Sequence, residues 1–128
     1  MSAVRRLPAL LVPLALAAVV LAGCGGEGGG GAGGADAAPV VGVTEVVAKD
    51  NTFTPPAIQV PAGATVTWRF KDRFVPHDVT GVGFGSGDPR RSGTFTHVFD
   101  RPGSYDYRCT LHDGMDGRVV VTAADVTR

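Results

Sequence analysis

The hydrophobic and polar positions of residues 40–128 follow the period of two that is typical of β-strands. In one run, Val66, Trp68 and Phe70 share a face, and the residues between them are polar. Similar alternating or β-branched runs recur over residues 41–47, 93–99, 105–109 and 119–121. Turn-forming residues separate the runs, over residues 54–56, 61–63, 85–89 and 101–103. No stretch keeps a 3.6-residue period, so the pattern predicts an all-β domain, either a sandwich or a barrel.

The N-terminal segment has a different pattern, that of an export signal. Arg5 and Arg6 precede an apolar run over residues 7–22, which is shorter than the about 20 residues that a membrane span needs. The run ends in Leu-Ala-Gly-Cys at Cys24, which resembles the lipobox of bacterial lipoproteins. We expect residues 1–23 to be a lipoprotein signal peptide and Cys24 to anchor the protein to the bacterial membrane on its extracytoplasmic side. An ordinary secretory signal is the alternative.

Residues 24–39 are rich in glycine and have no apolar periodicity. Because ordering glycine is entropically costly, this composition predicts a flexible tether. The chain therefore divides into a signal peptide (1–23), a lipidated cysteine with its tether (24–39) and one domain (40–128). A domain of that size can bury a single core and leaves no room for a second.

The charge balance excludes one broad class of function. The chain carries 12 Lys and Arg against 12 Asp and Glu, and the predicted domain holds equal numbers of the two signs. Proteins that follow a phosphate backbone carry a basic surface. We therefore expect no nucleic-acid partner, and we interpret the basic residues around Lys71 and Arg90 as solvated surface.

A group of potential metal ligands follows the run at residues 105–109. Cys109, His112 and Met115 have C-x2-H-x2-M spacing in a loop before the last predicted strand. With Cys24 assigned to lipid, Cys109 has no disulfide partner within the chain. A thiolate, an imidazole and a thioether favour copper, and a cysteine with two histidines and a weak axial methionine is the blue-copper ligand set. His77, beside a predicted strand, offers the second histidine.

The third histidine, His97, lies between Phe95 and Phe99 in a predicted strand and far from both ligand segments. We interpret His97 as structural. Taken singly, each of the four ligands also has an ordinary alternative, as a surface histidine or a core methionine. The combination of the two segments is what favours a metal site.

Residues 40–128 resemble the cupredoxins, in the group of plastocyanin, pseudoazurin and amicyanin. The resemblance is carried by Phe53-Thr54-Pro55, Val60-Pro61-Ala62-Gly63, Val66-Thr67-Trp68, Pro76-His77-Asp78-Val79, Gly103-Ser104-Tyr105-Asp106-Tyr107-Arg108-Cys109 and Leu111-His112-Asp113-Gly114-Met115. It implies a Greek-key β-sandwich that binds one copper ion through His77, Cys109, His112 and Met115. The chain departs from the family at Asp78, where many members have Asn, and at Asp113, where Pro is common. The spacing between His77 and Cys109 is also short, which implies a trimmed hairpin.

The resemblance further implies a one-electron carrier, not an enzyme, that works between a protein redox donor and acceptor. We expect the protein to be a monomer and, from the predicted anchor at Cys24, its redox partners to be associated with the membrane. Electrons would enter and leave at the edge of His112, through an apolar patch for which the candidates are Val75, Pro76, Phe84, Gly114 and Met115. A copper enzyme of this fold needs further histidines for a second copper, and only His97 remains. Extracytoplasmic copper handling or delivery is the alternative function, although such sites favour more methionines than this chain has.

Overall fold

A computed structural model describes residues 34–124 of the protein. The predicted signal peptide, Cys24 and the first part of the predicted tether lie outside the described residues. Within residues 34–124, no helix is long and apolar enough to cross a membrane. The helical structure of this range is a single 3₁₀ turn at Gly34–Asp36, in keeping with the absence of a 3.6-residue period.

Ten β-strands make up the rest of the regular structure in the described residues. They are β1 (Val40–Val41), β2 (Glu45–Lys49), β3 (Thr52–Thr54), β4 (Ala57–Pro61), β5 (Ala64–Lys71), β6 (Thr80–Gly81), β7 (Phe84–Gly85), β8 (Ser92–Phe99), β9 (Gly103–Arg108) and β10 (Asp116–Thr122). The turn-forming segments of the sequence fall at or between the strand ends, as predicted.

The strands form two mixed sheets. One has the order β1-β4-β10-β9-β6-β7, and the other has the order β3-β2-β5-β8. The pairs β1–β4, β4–β10 and β2–β5 are parallel, and the remaining pairs are antiparallel. The chain passes repeatedly from one sheet to the other, and the predicted all-β sandwich is confirmed.

The core lies between the sheets and is built around Trp68. Val66, Trp68 and Phe70 are buried on the inner face of β5, as their alternation predicts. The Trp68 ring stacks on Phe95 at 5.4 Å between centroids and meets Tyr107 of the facing sheet edge-on at 5.2 Å. Apolar burial and aromatic pairs of this kind fix how two sheets pack against each other.

The folded region begins earlier than the predicted boundary at residue 40. Gly34–Asp36 form their 3₁₀ turn against β10 and β4 instead of continuing a free tether. Gly34 makes this approach possible because a Cβ there would collide with the Asp116 carbonyl oxygen and press on Pro56. The end of the predicted tether is therefore packed beside the start of β10.

Candidate metal centre

Three of the four predicted ligands converge at one end of the sandwich. The donor atoms of His77, Cys109 and His112 all lie within 4.8 Å of one another. The Cys109 Sγ is 4.0 Å from His77 Nδ1 and 3.4 Å from His112 Nδ1. His77 and Cys109 are buried, and His112 is half-buried.

These distances fit a single metal ion. Two donors bound at trigonal angles, with the roughly 2.0–2.3 Å bonds that imidazole and thiolate make to a first-row ion such as zinc, stand about 3.8 Å apart. The two sulfur–nitrogen distances of 3.4 and 4.0 Å bracket that value. One soft sulfur and two imidazole nitrogens in this arrangement suit copper.

Main-chain hydrogen bonds fix His77 in the loop between β5 and β6. Its N–H donates to the Arg90 carbonyl oxygen at 3.0 Å, and the Arg90 N–H donates back to the His77 carbonyl oxygen at 2.9 Å. Arg90 is itself held by a 2.7 Å hydrogen bond from its guanidinium to the Ser86 carbonyl oxygen. Arg90, which the sequence predicts to be solvated surface, therefore helps to hold the loop that carries His77.

The other ligands lie in the loop between β9 and β10. Strand β9 ends at Arg108, so Cys109 is the first residue of the loop. The loop is closed by the Cys109 N–H, which donates to the Met115 carbonyl oxygen at 2.9 Å, and by the Met115 N–H, which donates to the His112 carbonyl oxygen at 3.3 Å. Gly114 has a φ of +76°, a conformation that side chains rarely adopt. The loop closes with Asp113 before this glycine.

Met115 is buried, with 1% of its surface exposed, at the end of this loop. It lines the same hollow as Gly114 and Asp116, next to Gly34 and Pro56. A thioether in this position can act as a ligand or as part of the core. The assignment of Met115 as the fourth ligand stays a prediction.

Asp78 joins the two ligand segments. Its Oδ1 accepts a hydrogen bond from the Thr110 N–H and its Oδ2 accepts one from the Thr110 hydroxyl, both at 2.6 Å. Burial acts to raise the pKa of the Asp78 carboxyl, but these hydrogen bonds outweigh it and leave the pKa below its usual value. We call this pair of hydrogen bonds the Asp78–Thr110 clasp. A carboxylate thus makes the link between the two loops.

One residue of the site, Asp72, was not predicted from the sequence. Its Oδ2 lies 2.9 Å from His77 Nε2, on the side of the ring opposite the cysteine. The hydrogen bond from His77 holds the pKa of the Asp72 carboxyl well below its usual range. The sequence feature that could have identified it is an aspartate shortly before a predicted ligand. The residues that follow this aspartate have N–H groups that can donate hydrogen bonds to its carboxylate.

The charges around Cys109 act against ionisation of its thiol. Burial raises the pKa of Cys109, and the negative charge of Asp78 raises it further. The thiolate that a metal requires therefore depends on the positive charge of the ion.

Two residues expected in an apolar surface patch near His112 do not form one: Met115 is 1% exposed, and Phe84 packs inward. The Phe84 ring does not form an exposed patch, because it packs against Trp68, Phe99 and Tyr107 at centroid distances of 5.9, 5.3 and 6.4 Å. The short β6–β7 hairpin turns the ring inward over Gly81, where any Cβ would collide with it. The exposed apolar residues beside the ligands are instead Phe74, 80% exposed, and Leu111, 45% exposed.

His97 lies outside the cluster of donors. Its ring stacks on Phe84 at 5.0 Å and meets Phe99 edge-on at 4.7 Å. These contacts agree with the interpretation of His97 as a structural residue.

Comparisons with known proteins give relatives for most of the domain. The chain is 38% identical over 87 residues to amicyanin-alpha of Methylorubrum extorquens, a match that covers 62% of this chain and 72% of that protein. It is 36% identical over 73 residues to amicyanin of Paracoccus denitrificans, covering 52% of this chain and 55% of that protein. No profile of a protein family matches the chain.

Solved structures agree with these relatives. A purple cupredoxin from Nitrosopumilus maritimus superposes with a TM-score of 0.56 and 28% identity, over 62% of this chain and 100% of that one. A point mutant of amicyanin in its reduced state superposes with a TM-score of 0.54 and 32% identity, over 63% of this chain and 83% of that one.

The Asp78–Thr110 clasp gives a testable prediction. Thr110→Val removes the hydroxyl donor and should lower the free energy of unfolding of the metal-free protein by about 1–2 kcal/mol in urea titrations. The control is Thr80→Val, because the Thr80 hydroxyl reaches the same carboxylate oxygen at only 3.4 Å. This control should lose less stability, and equal losses would show that the hydroxyl of Thr110 contributes no more to the link than that of Thr80.

Proposed function

The chain belongs to the cupredoxin family of blue copper proteins, and from this we propose that it is a one-electron carrier with a single copper ion. In our proposal His77, Cys109 and His112 are the strong ligands and Met115 is the weak axial ligand. The observation that carries it is the convergence of one sulfur and two imidazole donors within 4.8 Å at one end of the sandwich.

A copper ion held by this ligand set supplies one-electron chemistry between Cu(I) and Cu(II). The protein's part is to keep its donors in place whichever oxidation state is present. Main-chain bonds to Arg90 hold His77, the loop-closing bonds hold Cys109, and the Asp78–Thr110 clasp joins the two segments. Donors that are fixed in this way need little movement during electron transfer.

The proposed role is that of a carrier without catalytic activity of its own. A copper enzyme would need further histidines for a second ion. Among the described residues the remaining histidine is His97, whose ring packs between Phe84 and Phe99. This packing supports the assignment of all the metal chemistry to one site.

We propose His112 as the route for electrons. It is the most exposed of the three converging donors, and Leu111 and Gly114 beside it are also exposed. Protein redox donors and acceptors would meet the domain at this end. The equal numbers of acidic and basic residues give the domain no overall field to attract a partner of one sign.

We further propose that the protein is an extracytoplasmic lipoprotein, anchored at Cys24. The support is the Leu-Ala-Gly-Cys sequence after an apolar segment. Because Gly34 packs beside Asp116, the reach available between anchor and fold is set by residues 24–34, at most about 35 Å. The metal end would then lie close to a redox partner in the membrane.

The copper assignment is tested by the visible spectrum. The copper-loaded protein should show an intense blue or purple band, and Cys109→Ser should lose it because a hydroxyl cannot supply the soft thiolate donor. The control is His97→Asn, which removes a histidine outside the site and should keep the band. An intense band in Cys109→Ser would contradict the site, while rapid loss of copper to a chelator without a defined redox couple would favour copper delivery.

The role of Met115 is tested by the reduction potential. Met115→Gln should keep copper bound and lower the potential, because an oxygen donor favours Cu(II) more than a thioether does. Met115→Leu matches the side chain in volume and removes the donor, so its potential should shift upward. Unchanged potentials in both variants would mean that Met115 is core packing and not a ligand.

The anchor is tested by detergent-phase partitioning of the processed protein. The native chain should enter the detergent phase, because acyl chains contribute about 0.8 kcal/mol per buried methylene. Cys24→Ala should stay in the aqueous phase, whereas Cys109→Ser, the matched cysteine variant, should partition as the native protein does. Aqueous partitioning of the native chain would contradict the anchor and leave a freely diffusing carrier.

A further inference from the structure

We propose that Asp72 is the positioning residue of His77. Its carboxylate fixes the ring so that Nδ1 is free to bind the metal, and its negative charge lowers the reduction potential of the site. The second half of this inference rests on the proposed function, and the first half does not.

The geometry divides the two nitrogens of His77 between two partners. Nε2 lies 2.9 Å from Asp72 Oδ2, and Nδ1 lies 4.0 Å from the Cys109 Sγ. The His77 side chain is 0% exposed and that of Asp72 is 7% exposed, so both groups are largely shielded from water. An ionised carboxylate only accepts hydrogen bonds, so Nε2 must carry the hydrogen and donate it. In the neutral ring, the form that binds a metal, the lone pair is then on Nδ1, which faces the other donors.

Asp72 is itself held by the main chain. Its Oδ1 accepts hydrogen bonds from the N–H groups of Phe74 at 3.0 Å and Val75 at 3.1 Å. Its Oδ2 also accepts one from the Asp50 N–H at 3.1 Å, in the turn between β2 and β3, where Asp50 has a φ of 51°. Together with His77, the carboxylate has four donors. Such a carboxylate cannot rotate without breaking several bonds, so it orients the imidazole rigidly.

The charge of Asp72 has an effect beyond orientation. A carboxylate that accepts from the remote nitrogen makes the ring a stronger electron donor at the nitrogen that binds the metal. This stabilises the more highly charged oxidation state and so lowers the reduction potential. Partners of this kind alter metal affinity by about 10- to 100-fold.

An alternative is that Asp72 only caps its own loop, through the bonds to Phe74 and Val75. A cap would stabilise the fold but would leave the tautomer of His77 and the potential of the site unchanged. The two roles therefore differ in readouts other than stability.

The experiment uses Asp72→Asn, which removes the charge but leaves an amide oxygen able to accept from Nε2. In the copper-loaded protein we expect the ratio of Cu(II) to Cu(I) affinity to fall about tenfold, an upward shift of about 59 mV for one electron. The control is Asp50→Asn, which removes an exposed charge nearby and keeps the N–H that donates to Asp72. A shift in Asp72→Asn no larger than that in Asp50→Asn would overturn the role of the charge.

A second measurement uses the metal-free protein and does not depend on copper. Nitrogen-15 NMR of His77 should show a single Nε2–H tautomer, with a slowly exchanging, hydrogen-bonded proton whose signal moves in Asp72→Asn but not in Asp50→Asn. An Nδ1–H tautomer, or an unmoved signal, would overturn the positioning role. If the native protein had no one-electron couple, the proposed function would fail, and this measurement would still decide the orientation of His77.

Discussion

The site depends on holding together two chain segments that are far apart in sequence. His77 and Cys109 are separated by 32 residues, and their donor atoms must meet within bonding distance of one ion. The Asp78–Thr110 clasp joins the residues that directly follow these two ligands. The pairing of Thr80 with Arg108 between β6 and β9 continues the same contact into the sheet. The relative position of the ligands therefore depends on the register of these strands. That register in turn depends on the core around Trp68.

Much of this arrangement follows from local sequence. The alternation around Trp68 predicts its buried face, and the short spacing of Cys109 and His112 places both in one loop. Asp72, Phe84 and Gly34 were not predicted correctly, because their positions depend on tertiary contacts. Asp72 is bonded to a ligand and to the turn between β2 and β3, 22 residues away in sequence. Phe84 turns inward from a segment whose glycines suggested surface, and Gly34 is ordered by distant β10.

The electrostatics of the metal end link metal binding to folding. Two carboxylates, Asp72 and Asp78, flank His77 with little exposure to solvent, and burial and the charge of Asp78 raise the pKa of the Cys109 thiol. A bound cation offsets these negative charges and replaces the thiol proton. Since an ion that binds only the folded chain also stabilises it, a copper ion bound at this site would stabilise the folded domain.

The packing of Gly34 against Asp116 determines from which end of the sandwich the N-terminal chain departs. It leaves beside Met115, at the end that carries the proposed electron route, and not at the opposite end. With an acyl anchor at Cys24, a tether of at most about 35 Å would keep this end of the domain close to the bilayer surface. Confinement near the bilayer would raise the local concentration of the carrier around a membrane-bound partner above that of a freely diffusing protein. A carrier arranged in this way can bind its partners weakly, release them quickly and still exchange electrons with them often.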